Sequence, residues 1–127
     1  MSIEVEPGEL AEMLDRFPFV YLLTVGEQPR PHISALTARV RDAVVEVTGA
    51  GRRSRDAIEV NDLVTLLAPP YEPGGYSLIV DGTGQVAEET ILVAPTRAVL
   101  HRPAEVPAPA GSGGCGQDCV EIGVTAE

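Results

Sequence analysis

Residues 19–49, FVYLLTVGEQPRPHISALTARVRDAVVEVTG, constrain the fold more than any other part of the chain. The stretch is dense in β-branched and aromatic residues and is interrupted by turn signals at short intervals, the pattern of consecutive short strands and not of long helices. It predicts a meander of three strands, about 19–25, 31–40 and 43–48. The GEQPRP segment (26–31) forms the first loop, and Arg41-Asp42 marks a tight turn before the third strand.

The flanking segments extend this reading. EPGELAEMLDRF has Pro7 near a helix start and acidic residues in its first turn, with Leu10, Met13, Leu14 and Phe17 on one face. It predicts a short helix over about 8–16. SRDAIEVND predicts a second helix of about two turns, with Ser54 as N-cap and Asn61 as the stop. LVTLLAPP is a strand ended by Pro69 and Pro70. YSLIVDGTGQVAEE fits either a hairpin turning at Asp81-Gly82 or one long strand bent at Gly82 and Gly84. The turn offered by residues 88–90 favours the bent strand, since glycines inside strands mark bulges and barrel corners. ILVAPTRAVLHR is the last strand, with Pro95 at a break or an edge. The expected architecture is therefore mainly β: a small antiparallel barrel or sandwich of six strands with two short helices. From Pro103 the sequence turns to Pro, Ala and Gly, which divides the chain into a domain over 1–102 and a linker with a tail over 103–127.

Charge narrows the partners. The formal net charge is −10, and all nine basic side chains are arginine. Such a surface repels nucleic acid and anionic membranes. No apolar run approaches the ~20 residues of a membrane span, and the acidic N-terminus lacks the features of a signal peptide. The expected setting is the cytoplasm, and the Lys-free, Arg-, Ala- and Gly-rich composition points to a bacterial source.

Against that background, three of the nine arginines (Arg52, Arg53 and Arg55) fall within GAGRRSRDAI, after a strand ending in Thr48 and at the start of a helix. Glycines allow close backbone approach, a first helical turn offers unpaired N–H groups, and arginine grips phosphate through paired donors. Basic residues there oppose the helix dipole unless an anion sits among them. Two readings follow: an anion cradle, or a surface turn whose arginines pair with carboxylates such as Asp56 and Glu59.

The succession YLLTVGEQPRPHISAL…VRDAVVEVTGAGRRSRDAIEVNDLVTLL resembles the first half of the pyridoxamine 5′-phosphate oxidase-like, flavin-binding split-barrel superfamily. The resemblance covers roughly residues 17–102 and implies a six-stranded antiparallel split β-barrel that forms a homodimer with a flavin at the subunit interface. By that match Arg53 takes the place of a phosphate-binding Lys or Arg, flanked by Arg52, Ser54, Arg55 and Thr48. His32 and Ser34 lie near the isoalloxazine ring. The implied activity is FMN-dependent oxidation or reduction of a small molecule. Deazaflavin is disfavoured, because its carboxylate-bearing tail wants a broader basic groove than nine arginines supply. The chain is shorter than true pyridoxamine phosphate oxidases and shows no counterpart of their C-terminal substrate-binding segment, so vitamin B6 oxidation is not expected. The alternatives are a non-catalytic flavin- or ligand-binding barrel and a thiol redox sensor.

The remaining reactive residues stay open. His101 is either a proton donor near the cofactor or a strand-end histidine with a local hydrogen bond. Cys115 and Cys119 form C-x₃-C, which is not a zinc or thioredoxin spacing, and two cysteines do not complete a zinc site. They read as a reversible thiol pair or as packed thiols, and no metal site is expected. Tyr71 and Tyr76, in APPYEPGGY, either cover a flat ligand or pack on the barrel.

Overall fold

The computed structural model describes residues 2–104. Its elements are β1 (Ser2–Glu4), a 3-10 turn (Pro7–Glu9), α1 (Leu10–Leu14), β2 (Val20–Thr24), β3 (His32–Arg41), β4 (Val44–Thr48), α2 (Arg52–Val60), β5 (Leu63–Ala68), β6 (Ser77–Ala87) and β7 (Thr90–His101). Every pairing is antiparallel, in the order β1-β7-β4-β3-β2-β5-β6, and β6 pairs back to β7. That last pairing closes six strands into a barrel, as the sequence predicts, with β1 as an extra strand.

Alternation decides what fills the barrel. Val20 and Leu22, Val45 and Val47, Val64 and Leu66, Leu78 and Val80, and Ile91 and Val93 point inward from their strands and are buried. β3 differs, alternating between half-buried and exposed positions with none fully buried. α1 caps one part of the core with Leu10 and Leu14, and α2 contributes Ile58.

The bent strand is the form β6 takes. Between Asp81 and Gly82 the β6–β7 register shifts: Asp81 faces Arg97 and Gly82 faces Pro95, which leaves Thr96 as the bulged residue. The Thr96 hydroxyl donates to the Asp81 carbonyl at 3.2 Å. Pro95 lies where β7 has left β4 at Val93 and has not yet met β1 at Val99, so its missing N–H costs no bond to β4 or β1.

Several local expectations are corrected. The first helix is a 3-10 turn running into a single α-helical turn. The β3–β4 turn is Asp42-Ala43, both at positive φ, one residue later than expected. α2 starts at Arg52 with Gly51 as N-cap, so Ser54 is not the cap but lies inside the first turn and is buried. Asn61 does end the helix. β1 had no predictive pattern: its three residues are exposed and are held by ladder bonds to β7 instead of by burial. No helix among the described residues is long and apolar enough to cross a membrane. Cys115 and Cys119 lie outside the described residues.

Candidate functional site

α2 packs its Ser54–Ile58 face against β2, β3 and β6, which brings its Arg53–Val60 side beside the β2–β3 loop. The loop can come this close because Gly26 adopts a positive φ of 59° and has no side chain. A Cβ there would lie 3.1 Å from the Ala57 Cβ on α2. Between loop and helix lies a cleft of about 650 Å³, within the ~300–1,000 Å³ range of small-molecule sites. Arg53 and His32, two of the residues singled out from sequence, line it together with Arg30, Gln28, Asp56 and Val60.

Two arginines, Arg30 and Arg53, and two carboxylates, Glu27 and Asp56, line this cleft. The ion pairs among the described residues lie elsewhere: Arg39 and Arg41 share Glu46, and Arg97 faces Asp81. Arg30, Arg52 and Arg53 form none, so the reading in which the cluster pairs with Asp56 and Glu59 is not realised. α2 has no side-chain N-cap and no acidic residue in its first turn. Its leading N–H groups and dipole are therefore left for a ligand.

The other residues singled out from sequence stand around this point in different roles. Ser54 Oγ lies 3.2 Å from Ser34 Oγ, a part-buried link that ties α2 to β3. Arg55 points away to backbone carbonyls, donating from Nε to Gly51 O at 3.3 Å and from Nη1 to Glu88 O at 3.4 Å. With the bond from the Ala50 N–H to Glu89 O at 3.2 Å, it pins the Gly49–Gly51 segment to the β6–β7 turn. Thr48 sits on the outer face of β4, its hydroxyl 2.9 Å from that of Thr37. Arg52 is exposed at the helix start.

The remaining candidates lie away from the cleft. His101 Nδ1 is 3.1 Å from Ser2 Oγ at the far end of β7. Tyr71 packs edge-on against Phe17, with ring centroids 5.0 Å apart, and Tyr76 lies under the Arg102 guanidinium at 4.6 Å. The Pro/Gly loop thus folds on α1 and the end of β7. Arg30 is the cleft residue that sequence reasoning missed. Its signal was present in GEQPRP, but the segment was read only as a loop.

Comparison with solved structures places this architecture among the pyridoxamine 5′-phosphate oxidase-like split barrels. A candidate pyridoxamine 5′-phosphate oxidase from Listeria innocua superposes with a TM-score of 0.63 at 14% identity, over 74% of this chain and 96% of that one. The FAD-binding protein of Mycobacterium smegmatis gives 0.61 at 18% identity, over 78% and 98%. An F420 reductase gives 0.56 at 19% identity, over 68% and 94%. No family model matches the chain. The uncharacterized protein Mb0449c of Mycobacterium bovis is 39% identical over 95% of this chain and 96% of its own length, as is protein MT0457 of Mycobacterium tuberculosis. The chain belongs to the family of these mycobacterial proteins, and its fold is that of the solved split barrels.

Proposed function

We propose that this protein binds a flavin, FMN, and uses it to oxidise or reduce a small organic molecule. The observation that carries the reading is the cleft between α2 and the β2–β3 loop, which Arg53, Arg30 and His32 line in a strongly acidic chain, with neither arginine in an ion pair. The residues fit a phosphorylated cofactor. Arg53 and Arg30 would take the phosphate with the first-turn N–H groups, and Arg52 would add charge at the rim. The Ser34–Ser54 link and the Arg55 clamp hold the helix where those groups converge. Thr48 supports the strand that feeds the loop into α2. His32, at the start of β3, would present a ring nitrogen to the cofactor.

Bound FMN would supply the hydride chemistry, so the protein's task is orientation and hydrogen bonding and no acid–base dyad is required. The names of the structural neighbours, an FAD-binding protein and an F420 reductase among them, support a flavin-type cofactor. FMN is preferred because Asp56 and Glu27 also line the cleft, and these would repel a tail bearing further carboxylates. A homodimer is part of the reading: Val25, Ile33 and Leu63 are exposed on β2, β3 and β5 or just beyond them, and they give the barrel wall an apolar outer surface.

The test is the absorbance spectrum of the purified protein followed by FMN titration. The Arg52→Ala/Arg53→Ala double variant is expected to lose roughly a hundredfold in affinity, as removal of two charge-assisted contacts implies, with its circular dichroism and Tm unchanged. Wild-type affinity in that variant overturns the assignment.

A further inference from the structure

The register of the β2–β3 ladder puts Thr24 and His32 directly opposite each other. Both belong to the inward set of their strands. Thr24 continues the buried positions Val20 and Leu22, and His32 continues the half-buried positions Ser34, Leu36, Ala38 and Val40. The pair lies at the end of the barrel that α2 covers. At the next inward position of β3, Ser34 is bonded to Ser54 of α2. At the next inward position after Thr24, Gly26 lies against Ala57 of α2.

The hydrogen bonding of this pair is incomplete on both sides. Thr24 is 1% exposed, and its Oγ1 has no partner. Among the described residues it is the one buried side-chain polar atom left so. The His32 ring forms no hydrogen bond or ion pair with another described residue. Native proteins rarely bury a hydroxyl unpaired, and a buried donor without an acceptor is rarer than an under-used acceptor. Directly opposite residues of an antiparallel pair have Cβ atoms about 4.5–5.5 Å apart. A hydroxyl and an imidazole nitrogen span that gap by rotation of side-chain torsions alone.

We infer that Thr24 is a positioning residue for His32. Its hydroxyl donates to the near ring nitrogen and so fixes the tautomer. A neutral imidazole has one bare nitrogen and one N–H. With the bare nitrogen held by Thr24, the N–H faces the cleft that His32 lines with Arg53 and Arg30. All three side chains then present donors, matched to a ligand group that only accepts, such as a phosphate oxygen or a carbonyl. The opposite tautomer points its N–H at Thr24. It leaves the hydroxyl hydrogen buried without an acceptor and offers the ligand oxygen a bare nitrogen. The inference deepens the proposed function and rests on it for the identity of the ligand, whereas the tautomer is a property of the protein alone.

The experiment is nitrogen-15 NMR of the imidazole rings of the full chain as purified, in alkaline buffer where free imidazole is neutral. The chain has two histidines, and the His32 signals are those lost in His32→Gln. The wild type is expected to show His32 in one dominant tautomer, with one bare and one protonated ring nitrogen. Thr24→Val keeps the shape and removes the hydroxyl, and it is expected to give the averaged tautomer mixture of free imidazole. Thr24→Ser, which keeps the hydroxyl, is expected to restore the wild-type pattern. In FMN titration Thr24→Val is expected to bind roughly tenfold more weakly, the equivalent of one hydrogen bond, and Thr24→Ser as the wild type does. A wild-type tautomer ratio in Thr24→Val overturns the inference and leaves the functional reading standing. A changed tautomer with unchanged FMN affinity overturns the part in which the fixed N–H serves the ligand. If the wild type takes up no FMN, the functional reading falls, and the tautomer spectra still decide the role of Thr24.

Discussion

Ser54 is the residue at which local and tertiary roles diverge most. Its sequence position suits an N-cap, but Gly51 takes that place and the Ser54 hydroxyl is carried inward to Ser34. A part-buried serine pair is worth about 1 kcal/mol, and leaving one partner alone costs a similar amount at most. Ser54→Ala is therefore expected to lower unfolding stability by about 1–2 kcal/mol in urea titration. It should weaken FMN binding far less than Arg53→Ala does, because it loosens α2 without removing a charge. Arg55 makes the same point in reverse: in sequence it is one of three equivalent cations, and in space it is a clamp on the carbonyls of Gly51 and Glu88.

Among the elements, β6 carries the register shift against β7 at Asp81/Gly82. A Cβ at Gly82 would collide with the Ala94 carbonyl oxygen and press on Val93 Cγ1 at 3.0 Å. The conflict is with backbone across the ladder, which no side-chain rotation relieves. Gly82→Ala is expected to destabilise the fold by about 2–3 kcal/mol, read as a drop in the denaturation midpoint with little change in its slope. A midpoint within a few tenths of a kcal/mol of wild type would show that the bulge has room to move. Strand periodicity made β2 through β7 legible, because inward and outward positions differ in burial. β1 was not legible at the same level, because three exposed residues leave no pattern, whereas the apolar face of the first helix was read from Leu10 and Leu14.

On the scale of the molecule, closure of β6 onto β7 leaves β3 as the least buried of the six barrel strands, with Ile33 54% exposed on its outer side. The proposed homodimer would cover this wall. Ile33→Asp is expected to shift the species seen by sedimentation from twice the chain mass to the 13.4 kDa monomer, with the barrel still folded. Wild-type protein that sediments as a monomer at micromolar concentration would rule the dimer out. The cleft itself is a product of this scale. Arg30 and Arg53 are separated by most of two strands and a turn in sequence, and the packing of α2 on the barrel brings them to one cavity. That is why the arginine cluster could be picked out along the chain and Arg30 could not.

By itself the sequence determined the strand meander, the bent sixth strand and a concentration of arginine where an acidic chain has little reason to place it. These are local properties: period-two burial, glycine inside a strand and charge density along a few residues. Tertiary structure decided which arginines form no ion pair, that Ser54 is a strut and Arg55 a clamp, and that Thr24 is buried with its hydroxyl unpartnered. Those outcomes depend on which groups from distant strands meet and how much water is left between them. Only the closed barrel sets that.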